Sequence, residues 1–280
     1  MSNPFLIKGP ALVSFSSGRS SAMMLGKMVE AHGGRLPDDV FVAFANTGRE
    51  LEPSLRFAHD CATHWGVHIH WLEFVTNLQS VPASERFVEV GYNSASRNGE
   101  PFDRLIARKQ ALPTGLHRWC TEFLKVKVLF DFAESIGLGK PGDFTEVIGL
   151  RADEKPRIVR LREDARNEAR TLAFPLSTAG IVKGNVFSYW KLQPFDLQLE
   201  RGFGNCDECP FIGLKARIAR AQRRPANCEW WAQHELARGH IFGKEHSVVE
   251  VLGFAAASPT LPLNDDHDAE CGTWCPSMVA

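Results

Sequence analysis

Apolar and polar positions alternate along the first third of the chain in the way that buried strands and amphipathic helices do. Short apolar runs are followed by longer segments with helical spacing, and the alternation returns after a polar stretch. The pattern predicts strands over residues 11–15, 40–45, 67–74 and 145–150, and helices over 20–31, 54–65 and 128–135. Strands that alternate with helices favour an α/β fold with a doubly wound parallel sheet.

Two segments depart from this alternation. Residues 81–116 are loop-rich and polar, and we interpret them as a lid over a site or as a surface excursion. Beyond residue 151 the chain becomes highly charged and then carries cysteines. We therefore predict an α/β domain over residues 1–170 and a helical extension over 171–280, which contains a CxxC motif and packs on the same core.

The composition is that of a globular protein, with 280 residues of which 44% are hydrophobic and 23% charged. No apolar run reaches the roughly 20 residues of a membrane helix. Lys8, Gly9 and Pro10 interrupt the N-terminal segment too early for a signal peptide, so we expect a cytoplasmic protein with no membrane partner. Its seven cysteines are then reduced, which favours metal binding or catalysis over disulfides.

Charge is unevenly distributed along the chain although the formal net charge is only -1. Residues 104–127 and 215–224 are rich in lysine and arginine and poor in acids. Such blocks suit nucleotide phosphates or a nucleic-acid backbone. The alternative is that they are solvated helix faces balanced by acids elsewhere.

The segment SFSSGRSS lies between the first predicted strand and the first predicted helix. A turn from a strand into a helix presents unpaired N–H groups and the positive end of the helix dipole, an arrangement that binds phosphate. Gly18 allows close approach of the backbone, while the serines offer hydroxyls and helix caps. The spacing excludes a Walker loop, because no Gly-Lys-Ser/Thr follows.

Five motifs in succession give this chain a family resemblance: SFSSGRSS, FANTGREL, HRWCTEFLKVK, GLRADEKPR and GNCDECPFIGLK. The first resembles the Ser-Gly-Gly-x-Asp/Thr-Ser loop of the PP-loop ATP pyrophosphatases. The succession over residues 11–235 resembles the phosphoadenosine phosphosulfate reductase-like branch of that superfamily. The chain departs from the loop pattern at Ser17 and Ser20, and a Cβ at Ser17 is expected to crowd the phosphates.

The resemblance implies an adenine-nucleotide α-hydrolase-like sheet that binds ATP or adenosine phosphosulfate. The nucleotide-binding residues it implies are Ser14, Ser16, Ser17, Gly18, Arg19, Ser20, Ser21, Asn46, Thr47, Gly48 and Glu50. Glu50 would hold Mg²⁺ or cap the next helix. Arg151 is placed at the carboxyl end of a strand, where open α/β sheets bind ligands, and we expect it to contact phosphate or sulfate.

Cys206 and Cys209 form a CxxC pair of the kind that converges on one metal ion or cluster. A redox pair is the alternative, and Arg118 and Lys125 on either side of Cys120 would favour its thiolate. Zinc on Cys206 and Cys209 is a further possibility, with Cys228 and a histidine such as His234 or with Cys271 and Cys275. Cys61 is predicted to be buried.

The resemblance implies that Cys120, Cys206 and Cys209 hold an iron–sulfur cluster like the three-cysteine sites of tRNA or DNA thiolation enzymes. A fourth ligand from Cys228, Cys271 or Cys275 would close that site. Glu270-Cys271-Gly272 resembles the terminal Glu-Cys-Gly of sulfonucleotide reductases, whose cysteine attacks the sulfate sulfur.

Three functions follow as hypotheses. The favoured one is ATP-dependent adenylation of an acceptor, such as a nucleic-acid base, followed by sulfur transfer from a sulfur donor. The second is a sulfonucleotide reductase with Cys271 as nucleophile and a thioredoxin-type partner. The third is a non-catalytic nucleotide- or nucleic-acid-binding protein with a decayed loop.

Overall fold

The computed structural model describes residues 3–114, 117–200, 202–243 and 245–262. These residues form a six-stranded sheet made of β1 (Ala11–Phe15), β2 (Val40–Asn46), β3 (Ile69–Phe74), β4 (Phe87–Val90), β5 (Thr145–Ile148) and β6 (Thr171–Ala173), in the order β4-β3-β2-β1-β5-β6. All neighbouring strands pair in parallel except β4, which runs antiparallel to β3. The predicted α/β fold with a largely parallel sheet is confirmed.

Helices connect the strands and continue beyond the sheet. They are α1 (Arg19–Ala31), α2 (Glu52–Trp65), α3 (Glu100–Lys109), α4 (Trp119–Thr121), α5 (Lys127–Ser135), α6 (Lys155–Glu163), α7 (Pro175–Thr178), α8 (Lys183–Trp190), α9 (Leu214–Arg223), α10 (Pro225–Arg238) and α11 (Val248–Ala257). A π-helical turn, Glu122–Val126, joins α4 to α5. No helix in the described ranges is both long and apolar enough to cross a membrane.

The two faces of the sheet pack against different helices because side chains alternate along each strand. Val13 and Phe15 of β1 pack in one apolar cluster with side chains of α1, α2 and α8. Leu12 lies in a second cluster with side chains of α3, α5, α10 and α11. Helices from residues 171–262 thus pack on both faces of the sheet.

The interpretation of residues 81–116 as loop-rich was incomplete. This segment contains β4 and α3, and Phe102, Leu105 and Ile106 of α3 are buried against the sheet. The prediction of an all-parallel sheet was wrong at β4. In addition β6, just beyond the predicted boundary at residue 170, is an edge strand of the same sheet.

Candidate functional site

The serine-rich loop joins β1 to α1 and is closed by its own hydrogen bonds. Ser16 donates from its backbone N and from Oγ to Ser21 Oγ, at 3.2 and 3.0 Å. Ser21 Oγ donates to the Gly18 carbonyl at 3.0 Å. The first N–H groups of an α-helix have no acceptors within the helix, so this closed loop leads into a set of donors suited to an anion.

Ser17 adopts a backbone conformation that normally favours glycine. Its φ is 54°, in the left-handed region, and the residue is fully buried. Its Oγ donates to the Ser16 carbonyl at 2.7 Å. A side chain in this region costs about 1–2 kcal/mol. A left-handed backbone at this position explains why the Ser-Gly-Gly-x-Asp/Thr-Ser pattern has glycine there. In this chain serine adopts the same conformation.

Two other predicted loop residues, Ser14 and Arg19, have partners or surroundings within the protein. Ser14 is buried in β1, and its Oγ has no hydrogen-bond partner among the described residues. Arg19 was predicted to bind nucleotide, but its guanidinium donates to the Asp196 carboxylate at 2.7 and 2.9 Å and to the Leu197 carbonyl at 2.6 Å. Arg19 therefore fixes residues 196–197 beside the loop.

Arg151 lies against the serine-rich loop, close to the carboxyl end of β5. It is buried, and its Nη1 donates to Ser20 Oγ at 2.9 Å. Asp153 accepts from Arg151 Nε at 3.1 Å, and a Glu154 carboxylate oxygen is 3.7 Å from Nη1. We call the cavity beside this contact the loop cavity; it is lined by Arg19, Ser20, Arg151, Lys183, Val186, Phe187, Leu197, Leu199, Phe203, Gly204 and Asn205.

Gly149 of the GLRADE segment packs directly on the loop. A Cβ built there would lie 2.9 Å from Ser21 Cα and 3.2 Å from Ser21 N. We expect Gly149→Ala to lower the free energy of unfolding by about 1–3 kcal/mol, because the added methyl overpacks backbone against backbone. Gly253→Ala in α11, where a Cβ meets no atom within 4 Å, is the matched control. Equal urea midpoints for the two variants would contradict this prediction.

The loop that follows β2 is held by buried side-chain contacts. Asn46 Nδ2 donates to Glu73 Oε1 at 2.6 Å, and Asn46 Oδ1 accepts from Gly48 N at 3.2 Å. Gly48 has φ of 78°, the left-handed conformation that a tight turn requires. Asn46 and Thr47 are fully buried, so their role in this structure is to shape the loop.

Glu50 does not cap the following helix, because α2 has no side-chain cap and the Glu50 carboxylate turns back to Thr47. It accepts from Thr47 N at 2.8 Å and from Thr47 Oγ1 at 2.9 Å. Lys125 Nζ lies 3.5 Å from the same carboxylate, and Cys206 Sγ lies 3.9 Å from it. The capping prediction was wrong, and the carboxylate instead lies beside the CxxC cysteines.

The CxxC segment is hydrogen-bonded to both loops. Cys206 forms an antiparallel bridge with Glu50, supported by Leu51 N to the Asn205 carbonyl at 2.7 Å and Asp207 N to the Arg49 carbonyl at 2.8 Å. Asn205 Nδ2 donates to the Ser16 carbonyl of the serine-rich loop. The motif is therefore fixed between the β1 and β2 loops.

All three predicted metal-ligating cysteines line one cavity, which we call the cysteine cavity. Cys120 enters it from α4, and Cys206 and Cys209 enter it from the CxxC segment. Its other lining residues are Thr47, Phe102, Pro113, Arg118, Thr121, Lys125, Gly204, Glu208, Pro210, Arg220, Trp231 and Phe242. Gly204 also lines the loop cavity, so the two cavities share a wall at this residue.

Cations lie next to the CxxC sulfurs. Arg118 Nη2 is 3.8 Å from Cys209 Sγ, and Lys125 Nζ is 3.9 Å from Cys206 Sγ. Both cations are largely buried, and Lys125 belongs to the π-helical turn after α4. Positive charge at this distance favours thiolates, the form that binds metal.

Asp207 and Glu208, between the two cysteines, are buried. Burial raises the pKa of Asp207 to about 6 and that of Glu208 to about 7, although Arg49 and Arg220 oppose the shifts. Arg49 forms an ion pair with Asp207. Arg220 is 1% exposed, and neither Nη1 nor Nη2 has a hydrogen-bond partner among the described residues. A buried guanidinium with unmet donors at a cavity wall is suited to an anionic occupant.

The remaining cysteines have other surroundings. Cys228 is buried, donates to Glu208 Oε1 at 3.8 Å, and has a pKa that burial raises above its ordinary value. His234 Nε2 lies 2.9 Å from Asp103 Oδ1. Cys61 lies in the core between helices and sheet, as predicted. Cys271 and Cys275 lie outside the described residues, so their proposed roles stay predictions.

The two basic blocks divide between the interior of the protein and its surface. Arg118, Lys125, Arg217 and Arg220 are buried. Arg104 donates to the Phe74 carbonyl at 3.0 Å, and Lys127 pairs with Glu122 at 2.9 Å. Arg108, Lys109 and Lys215 are exposed, so part of each block faces solvent.

The sequence reasoning missed Glu73, Asn205 and Arg220, which shape the site. Glu73 is buried at the end of β3 and accepts from Asn46, Ser96 N and Ser96 Oγ. An acid within an apolar strand is a signal that could have been noticed. Asn205 directly precedes the CxxC motif, and Arg220 lies among the small apolar residues of α9.

Comparison with known proteins finds relatives without an assigned activity. The chain is 29% identical over 200 residues to an uncharacterized nin region protein of Escherichia phage lambda, covering 71% of this chain and 64% of the phage protein. It is 24% identical over 245 residues to an uncharacterized protein of Methanocaldococcus jannaschii, covering 85% of this chain and 44% of the archaeal protein. No family model and no solved structure matches the chain.

Proposed function

We propose that this protein is an ATP-using enzyme of the PP-loop type that adenylates an acceptor oxygen and replaces it with sulfur. The observation that carries the proposal is the shared wall between the loop cavity and the cysteine cavity. Gly204 lines both, Asn205 lines the loop cavity, and Cys206 lines the cysteine cavity. An activated acceptor in one cavity would lie next to thiols in the other.

The loop cavity offers the groups that a nucleotide triphosphate needs. Arg151 and Lys183 supply positive charge, Ser20 supplies a hydroxyl, and α1 presents its N-terminus. Charged hydrogen bonds to phosphate oxygens are about twice as strong as neutral ones. Glu50 points to Thr47 and Lys125, so in this arrangement its carboxylate positions the β2 loop. Mg²⁺ on Glu50 would share the carboxylate with Thr47 and Lys125.

The reaction has two balanced steps. A carbonyl oxygen of the acceptor attacks the α-phosphorus of ATP, and the bond to the leaving pyrophosphate breaks. Hydrosulfide or another sulfur nucleophile then attacks the activated carbon, and AMP leaves with the original oxygen. Positive charge from Arg151 and the helix N-terminus stabilises the charge that develops on the phosphates.

The residues of the cysteine cavity fit an iron–sulfur cluster. Cys120, Cys206 and Cys209 would hold it, and the orphaned buried donors of Arg220 match the negative charge of a thiolate-bound cluster. Such a cluster, when bound, would supply a place to carry the sulfur that is transferred. Arg118 and Lys125 place positive charge beside the CxxC sulfurs, which favours metal-binding thiolates. Phe102, Trp231 and Phe242 give the cavity apolar lining.

The test is product stoichiometry with Mg²⁺-ATP and sulfide, using bulk tRNA or DNA as the trial acceptor. We expect AMP and pyrophosphate in equal amounts, dependent on the acceptor. ADP and phosphate would contradict adenylation, because they arise from attack on the γ-phosphorus. ATP binding without turnover would favour a non-catalytic nucleotide-binding protein.

A further inference from the structure

A cluster of potential metal ligands lies at the end of the sheet opposite the two cavities. His68 precedes β3, His70 lies within it, and Glu89 belongs to the antiparallel edge strand β4. Each offers one ligand atom, and these atoms all lie within 4.8 Å of one another. The cavities lie at the carboxyl ends of the parallel strands, whereas the histidines lie at the start of β3, so the two sites are separate.

Strand geometry brings these side chains to one face. Positions i and i+2 of a strand point the same way, which places His68 beside His70. Their rings meet edge to face with centroids 4.3 Å apart. Glu89 is opposite Leu72 in the β3–β4 register, and Leu72 is two residues from His70 on the same face. The arrangement therefore follows from the register of β3 and β4.

The ligand distances fit a tetrahedral ion after a small adjustment. Glu89 Oε1 is 2.7 Å from His70 Nδ1 and 3.5 Å from His68 Nε2. Zinc bonds of about 2.0–2.2 Å in tetrahedral geometry place ligand atoms roughly 3.3 Å apart. His70 is held by the Phe132 ring, with centroids 4.6 Å apart, while the His68 side chain is 72% exposed, which leaves room for it to adjust.

We propose that His68, His70 and Glu89 bind a divalent transition-metal ion such as Zn²⁺. The bound ion links β4 to β3. Two imidazoles and a carboxylate form a donor set that zinc accepts, and water completes the coordination. The ion ties a four-residue edge strand to its neighbour. Its role is to stabilise the sheet edge, separate from the chemistry proposed for the cysteines.

Cobalt titration of the full chain tests the site, because the spectrum identifies the ligands. We expect visible cobalt bands without thiolate charge transfer, and at least tenfold weaker binding in His68→Gln and Glu89→Gln. His240→Gln, which removes an exposed histidine elsewhere, should bind as wild type. His68 and Glu89 are exposed enough for their variants to fold, so His70 is left unchanged.

Zn²⁺ should also raise the Tm of wild type and His240→Gln but not of Glu89→Gln. Equal cobalt affinity in all four proteins would overturn the proposal. So would cobalt absorption that appears only with thiolate charge transfer and is lost in Cys206→Ser. Failure of the adenylation assay leaves this result unaffected, because the test needs no nucleotide.

Discussion

Replacing Arg151 by glutamine is expected to weaken ATP binding by roughly ten- to a hundredfold. A hydrogen bond to a charged group contributes about 1.5–3 kcal/mol, and each 1.4 kcal/mol is a factor of about ten. The substitution also leaves Asp153 and Glu154 near the phosphates without the guanidinium that now faces them. Repulsion between these carboxylates and the phosphates adds to the loss.

Isothermal titration with Mg²⁺-ATP measures this effect. Arg160→Gln is the matched control, because Arg160 is an exposed arginine on α6 and its loss removes the same charge. Arg151→Lys should retain part of the affinity, since lysine keeps the charge without the planar fork of donors. Thermal unfolding of each variant separates lost binding from lost structure. Equal ATP affinity in Arg151→Gln and Arg160→Gln would remove Arg151 from the site.

The central strands were predictable because they are buried on both faces. The predicted strand 11–15 coincides with β1, every residue of which is buried. Strands of this kind read as continuous apolar runs, and the helices between them show helical spacing. The predicted strands 67–74 and 145–150 each extended two residues too far at one end. Turn residues that are moderately apolar look like part of the strand, so the sequence does not show where the strand begins or ends.

The sheet edges were not predictable in the same way. β4 has two exposed residues among its four, and it follows a polar segment without strong periodicity. β6 has only three residues after a highly charged helix. Edge strands take much of their stability from pairing with a neighbour, and a pairing partner is not a property of the local sequence.

In the candidate site, too, the features set by local sequence were predictable and those set by long-range packing were not. The serine-rich loop, Arg151 and the CxxC pair were found from local patterns. The structure places Arg151 on Ser20, and Cys120 and Cys206 line the same cavity. The burial of Arg220 was not visible in a basic helix pattern. It depends on long-range packing against Phe203 and the CxxC segment.

Cys206→Ser is expected to remove most of the iron and sulfide from protein purified without oxygen. Serine is a poor ligand for iron in such clusters, and Cys206 lies in the cysteine cavity beside Lys125. Iron, acid-labile sulfide and zinc are measured per chain, together with the visible spectrum. Cys228→Ala is the control, because Cys228 is buried against Glu208 and its raised pKa keeps it a thiol.

Each result selects among the alternatives. Iron and sulfide retained in Cys228→Ala but lost in Cys206→Ser support a three-cysteine cluster. Their loss in both variants, with the fold intact by circular dichroism, indicates that Cys228 is a fourth ligand and contradicts an open iron position. Zinc in wild type, without sulfide, contradicts the cluster itself. Retention of iron and sulfide in Cys206→Ser would remove the CxxC motif from the metal site.

Arg220→Gln extends the same measurement to the charge of the occupant. The Arg220→Gln variant keeps all three cysteines. Glutamine has fewer N–H donors than arginine, however, and carries no positive charge. We expect iron content to fall, with partial recovery in Arg220→Lys, because lysine restores the charge. Lys215→Gln, at an exposed position on α9, controls for the loss of one positive charge. Unchanged iron in Arg220→Gln would show that the guanidinium serves partners within the protein, such as Glu208 and the Gly202 carbonyl, and that the occupant does not depend on it.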